Sequence, residues 1–308
     1  METSTNDTPL PPIRACIFDV DGLLINSEDI YTEIYNDILH SYNKPSLPWS
    51  IKAKQQSRGR EVINDSFVLL FSPIDIDELS RNQQGAQKIL DWAHLPLTVE
   101  EWSAQCSAQY ERFKNCKPLP GVLNLLHTLS TKTSPTVHLA IASSATQKSF
   151  ALKTDHLPHL TSYIPNEYRV FGDDRAMSDA RKKPAPDVFL LALERVNAQP
   201  GQDERPIEVK ECLVFEDSVA GVEAGRRAGM RVCWVPHRGL REVYRGRERR
   251  VLQGGSGDED VHGSLGEGVE DGEVRRVERI LSDDGGAEMI MSLEEFDYGY
   301  YGIKMRQD

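Results

Sequence analysis

The sequence predicts an α/β protein: a Rossmann-like parallel sheet core interrupted by an inserted α-helical cap. Three observations carry this prediction. Short β-rich apolar runs recur along the chain, helix-length stretches separate most of them, and the first gap, from Asn26 to about Cys116, holds amphipathic segments but no convincing strand. Alternation of strands and helices produces a parallel sheet covered on both faces, and strands buried on both faces read as continuous apolar runs.

The elements follow in order. "ACIFDV" is the first strand, and the helical insertion follows it, with "DIYTEIYNDILHSY", "GREVINDSFVLLF" and "EEWSAQCSAQYERF" as its amphipathic segments. Pro120 and Gly121 punctuate the return to the sheet, and Val122, Leu125, Leu126 and Leu129 give the next helix one apolar face. "TVHLAIAS" and "YRVF" are the next strands; "VFLLALERV" is a helix for which Asp187 can serve as N-cap. "CLVFED" and "MRVCWVP" flank the helix "SVAGVEAGRRAGM", whose stop is Gly229. Residues 254–273 hold seven acids, seven glycines and no Lys or Arg, which predicts a disordered loop. "EMIMS" then reads as a last strand returning to the core. The expected organisation is a core of residues 1–25 and 117–308 and a helical cap of residues 26–116.

At 308 residues the chain exceeds one average domain, and 39% hydrophobic residues suffice for a real core. A net charge of −12 argues against nucleic acid or an anionic membrane as partner, so an anionic substrate must meet local positive charge. The five cysteines form no Cys-x-x-Cys pair, and three lie in or beside strand-like runs, which points to a reducing, cytoplasmic setting. The first residues have no signal-peptide core, and no apolar run approaches the ~20 residues of a membrane span, so the expectation is a soluble protein. Oligomeric state is not legible.

In an open parallel sheet, ligands sit at the carboxyl ends of the strands. Three strands end in polar pairs: Asp19 and Asp21 after the first, Ser143 and Ser144 after "VHLAIA", Glu216 and Asp217 after "CLVF". Lys183, in "KKPAPD", precedes a helix. Each has a plain alternative: a turn for Asp-x-Asp, helix caps for the serines and for Glu216 with Asp217, a solvated side chain for Lys183. As a set they are complementary. Asp19, Asp217 and Glu216 offer hard oxygen ligands suited to Mg²⁺, which would also offset the crowding of like charges. With that cation and Lys183 in place, a phosphoryl group can reach Asp19. The Ser143 hydroxyl and backbone N–H groups at the following helix start would hold its oxygens. Asp19 then serves as nucleophile, forming an aspartyl phosphate, and Asp21, kept partly protonated, as general acid and base.

"FDVDGLL", "IASS", "KKPAPDVF" and "VFEDSVAGVEAG" resemble, in order, the four motifs of the haloacid dehalogenase superfamily, from about Ile13 to Pro236. The resemblance implies Asp19 as nucleophile, Asp21 as acid/base, Ser143 and Lys183 as the phosphate-binding pair, and Asp217 with Glu216 beside it as metal-binding acids. It further implies that the backbone carbonyl at Asp21 binds Mg²⁺. "LKTDHLPHL", "FGDD" and "CLVFEDSVAGVEA" are most similar to the branch with pseudouridine-5'-phosphatase and 2-deoxyglucose-6-phosphate phosphatase. The expected activity is Mg²⁺-dependent hydrolysis of a small phosphorylated metabolite, a sugar or nucleoside phosphate.

The alternative is a β-phosphoglucomutase-like phosphomutase, but where those mutases carry a cap histidine this chain has Tyr31. A phosphoacceptor receiver domain would have its acids in a different order, and a non-catalytic relic usually lacks one aspartate. In the cap, Arg58 and Arg60 of "QSRGRE" are candidates for substrate specificity, with an exposed basic helix start as the alternative. His156 and His159 lack a nearby third ligand and read as surface or capping residues.

Overall fold

The computed structural model describes residues 10–56, 76–177, 181–198, 205–255 and 279–307. Strand β1 (Ala15–Phe18) is followed by helices α1 (Ser27–Ser41), α2 (Trp49–Gln56), α3 (Ile76–Ala93) and α4 (Val99–Ser107), and by a 3₁₀ turn at Tyr110–Asn115. Next come α5 (Val122–Thr131), β2 (His138–Ala142), α6 (Gln147–Thr154), α7 (Pro158–Thr161), β3 (Arg169–Val170), α8 (Asp187–Asn197), β4 (Cys212–Glu216) and α9 (Val219–Arg227). The chain closes with β5 (Arg231–Trp234), α10 (Arg238–Val243), α11 (Glu248–Leu252), β6 (Ile280–Leu281) and β7 (Ala287–Met289). Among the described residues, the stretch between Asn26 and Cys116 contains helix and no strand.

The strands form one sheet in the order β3-β2-β1-β4-β5-β7-β6, parallel throughout except for β6, which runs antiparallel to β7. The six strands expected from apolar runs are present. β6 was not expected, because a two-residue edge strand is too short to leave a periodic signal. Each strand feeds both faces, since alternate side chains point to opposite sides. Cys16, Phe18, Leu139, Ile141, Leu213 and Phe215 enter one core with α1 and α5; Ala15, Ile17, Ala140, Val214, Val232 and Trp234 enter the other, with α8 and α9.

Local chemistry explains the helix boundaries, with some differences from expectation. α8 begins with Asp187 as its first helical residue and Pro186 at the cap position; Asp187 instead accepts from the Arg181 N–H at 3.3 Å. α6 starts at Gln147 and is capped by Thr146, so Ser143 and Ser144 do not cap it; Ser218, not Glu216 or Asp217, caps α9. All five cysteines are free and buried, and burial pushes the thiols of Cys106, Cys116 and Cys212 up to about 12, the behaviour of small hydrophobes. Among the described residues, no helix is long and apolar enough to cross a membrane. Arg58, Arg60, "GREVINDSFVLLF" and the acidic stretch beyond Gly255 lie outside the described residues.

Candidate active site

Sheet register brings the polar residues together. Phe18 is level with Ile141 on one side and Phe215 on the other, so the next residues, Asp19, Ala142 and Glu216, emerge side by side at the carboxyl edge. Lys183 crosses this edge from the loop before α8. Its ammonium donates to Asp19 Oδ1 at 2.5 Å, Glu216 Oε1 at 2.6 Å and the Ala142 carbonyl at 3.1 Å. Three acceptors from three neighbouring strands match the three N–H bonds of a lysine. Lys183 is therefore the clasp of the site, and its solvated alternative is excluded by its 6% exposure.

Asp217 completes an acidic cluster. Asp19, Glu216 and Asp217 each offer one carboxylate oxygen, the three lying within 4.8 Å of one another, and all three residues are buried. The Trp234 indole donates to the Asp217 carbonyl at 2.8 Å and fixes the turn. Gly22 and Gly221 are required by close approach: a Cβ on Gly22, whose φ is +79°, would lie 2.3 Å from Asp217 Oδ2, and one on Gly221 would lie 1.9 Å from Glu216 Oε1.

The electrostatics are lopsided. Three buried carboxylates face one ammonium at this clasp, so with all of them ionised the cluster is two positive charges short. Burial, opposed by Lys183 and reinforced by Glu216 and Asp21, raises the Asp19 carboxyl to about 7. Burial, then the charges of Glu216, Asp19 and Glu28, holds Asp217 well above the usual carboxylate range. Burial alone would lower Lys183, but Asp19 and Glu216 outweigh it and keep the ammonium protonated. The residues fit a divalent cation: the missing charge is two, and the donors are hard oxygens. Glu216 has both oxygens engaged, Oε1 by Lys183 and Oε2 by the Ser218 N–H and hydroxyl, so it acts first as the anchor of Lys183.

The remaining expected residues are placed as follows. Ser143 is buried one residue beyond Ala142, and Ser144 is half-buried next to it. The amides at the start of α6 are already engaged: Gln147 N–H donates to Asp173 and Ser149 N–H to Thr146, while Ala145 N–H donates to the Ser143 hydroxyl. Asp21 turns its carboxylate from the acidic cluster to Lys153, whose ammonium donates to Oδ1 at 2.7 Å. His156 is hydrogen-bonded to the Cys116 carbonyl and belongs to the scaffold.

Two residues were missed by sequence reasoning. Lys153 sits in "FALKTDHL", where the only signal is a cation at a buried helical position. Lys52 is 2% exposed, with its ammonium 2.8 Å from Glu28 Oε2 and 2.7 Å from the Glu28 carbonyl and the Thr32 hydroxyl.

With this constellation at the sheet edge, the comparison with known families is decisive: the family described as haloacid dehalogenase-like hydrolase matches residues 13–229. The chain belongs to the haloacid dehalogenase-like hydrolases. Among its relatives is a Saccharomyces cerevisiae protein named as a probable pseudouridine-5'-phosphatase, 31% identical over 94% of this chain and 98% of that protein. Another is (DL)-glycerol-3-phosphatase 2 of Arabidopsis thaliana, 33% identical over 73% of this chain and 80% of that protein. A solved hydrolase structure from Pseudomonas syringae aligns with a TM-score of 0.48 at 21% identity, covering 75% of this chain and 90% of that one. The hydrolase motifs identified in the sequence all fall inside the matched span.

Proposed function

We propose that this hydrolase cleaves small phosphomonoesters of the sugar or nucleoside phosphate class, through an aspartyl phosphate on Asp19, with Mg²⁺ held by Asp19, Asp217 and the Asp21 carbonyl. The observation that carries the reading is the Lys183 clasp beside a buried acidic cluster two positive charges short. The bound cation would supply charge to the phosphoryl oxygens and let Asp19 stay ionised at neutral pH.

The chain's own residues account for the rest. Lys183 holds the Asp19 carboxylate in place and faces the incoming phosphoryl group with positive charge. The Ser143 hydroxyl, on the turn beyond β2, would hold a phosphoryl oxygen, with Ser144 beside it. Asp19 attacks phosphorus while Asp21 delivers a proton to the leaving oxygen; Asp21 later takes a proton from the water that opens the acyl phosphate. The names of the relatives, a pseudouridine-5'-phosphatase and a glycerol-3-phosphatase, favour hydrolysis over phosphoryl return to sugar.

The proposed division into a core of residues 1–25 and 117–308 and a cap of residues 26–116 gives the mechanism its lid. The chain leaves and re-enters the core at one place, where Asn26 N–H donates to the Lys117 carbonyl at 3.0 Å and Lys117 N–H to Asn26 Oδ1 at 2.7 Å. Such a paired double linker suits a closing motion that shields the acyl phosphate from stray water. On the far side Trp49 stacks on His237 at 4.2 Å between ring centres, tying α2 to the loop after β5.

The test is a panel of phosphorylated metabolites assayed for phosphate release with and without EDTA, on the parent and on Asp19→Asn. Turnover should require the metal and vanish in the folded variant. Phosphate release retained by Asp19→Asn, or an isomer formed without phosphate, refutes the reading.

A further inference from the structure

Lys153 is a buried cation that the mechanism above does not use. It lies on α6, the helix that follows the Ser143 turn, and is 2% exposed. Its ammonium donates to Asp21 Oδ1 at 2.7 Å and to the Tyr31 hydroxyl of α1 at 3.3 Å. The same nitrogen sits 5.1 Å from the Tyr31 ring centre and 5.0 Å from that of Phe113, and those two rings meet edge to face at 4.6 Å. An aromatic box with one hydroxyl thus aims the cation at one carboxylate.

Filling this space for packing alone would be served better by methionine or leucine, because a buried charge loses its hydration and its partners must make up that loss. The partner matters, then, and it is the side chain proposed to move the proton. Resting on that reading of Asp21, we infer that Lys153 is a positioning residue for proton delivery: its contact with Oδ1 fixes the rotation of the Asp21 carboxyl so that the other oxygen meets the leaving group. Tyr31 in turn fixes the ammonium. Asp21 leaves a loop rather than a strand, so nothing in the sheet ladder sets that rotation. Because Tyr31 lies on α1 and Lys153 on α6, the alignment is complete only when the helices after β1 are docked on the core.

The inference predicts an effect that depends on the leaving group. An alkoxide needs a proton as it departs, whereas p-nitrophenolate departs without one. The ratio kcat/KM reports only the steps through departure of the leaving group when transfer to Asp19 is irreversible. Lys153→Met should lower kcat/KM for glycerol phosphate by about 100-fold or more, the scale of a general-acid contribution. For p-nitrophenyl phosphate the loss should stay within severalfold, and competitive inhibition by inorganic phosphate should change little. Tyr31→Phe keeps the cation but removes its hydroxyl partner, and should lower kcat/KM severalfold for glycerol phosphate only. If Lys153→Met does not fold, that variant decides the matter. Equal losses on both substrates, or none, overturn the positioning role.

Asp21→Asn separates this inference from the reading beneath it. If that variant shows leaving-group dependence and Lys153→Met does not, the role of Lys153 alone is overturned. If Asp21→Asn shows none either, Asp21 is not the acid and both are overturned.

Discussion

Withholding or supplying the proposed Mg²⁺ at different pH values tests the charge deficit directly. Without the cation the Asp19 carboxyl sits at about 7 against an ordinary 3.8. The native state therefore holds this proton more tightly than the unfolded chain, and metal-free stability falls as pH rises from about 4 to about 7. Three pH units at about 1.4 kcal/mol each give a loss of about 4 kcal/mol from Asp19, and Asp217 shifts the same way. Lys183 is raised from an ordinary 10.5, so its contribution is fully present throughout this window and does not bend the curve. The proposed cation should reverse the trend, because it would bind the ionised acid. The ionised fraction of Asp19 is about 3% at pH 5.5 and about 76% at pH 7.5, so apparent affinity should rise about 25-fold between them. At saturating metal that ratio is about 2 kcal/mol of additional stabilisation at the higher pH. Urea denaturation with EDTA or with excess Mg²⁺ at both pH values measures it, with Asp19→Asn expected to reduce the difference. An increment that is equal at the two pH values, or larger at pH 5.5, refutes the reasoning.

Packing predictions are independent of the cation. Gly221→Ala should displace Glu216, unclasp Lys183 and cost about 2–4 kcal/mol in urea denaturation, with kcat/KM down about 100-fold. Stability and activity within severalfold of the parent would show that Glu216 is not confined there. Trp49→Ala removes the ring stacked on His237 and beneath Lys52, 4.5 Å from its centre, and should cost about 1–2 kcal/mol by the same measurement. A change under a few tenths would mean that α2 is held by other contacts.

Six of the seven strands and the helical stretch after β1 were legible because those strands lie in apolar runs of the sequence, and a run of that kind needs no partner to be recognised. The polar residues at strand ends were legible for a related reason: a parallel sheet delivers whatever follows its strands to one edge. Asp19 and Glu216 meet because Phe18 and Phe215 are in register, and the site's position needs little beyond that register. What could not be read was pairing across loops and helices. The side chain of Asp21 is held by a lysine on α6, far along the chain. Glu216 anchors Lys183 with one oxygen and accepts from Ser218 with the other, a pairing that strand-end placement alone does not reveal.

By itself, then, the order of residues determined the parallel sheet, the helical insertion and the kinds of group gathered at the sheet edge, because periodicity and strand-end placement are local properties of a chain. Only the tertiary structure decided which charge faces which. Burial and distance set the worth of a charge, and both arise when segments remote in sequence pack together: Lys183 becomes a clasp, Lys153 the partner of Asp21, and three crowded acids a site that calls for a cation.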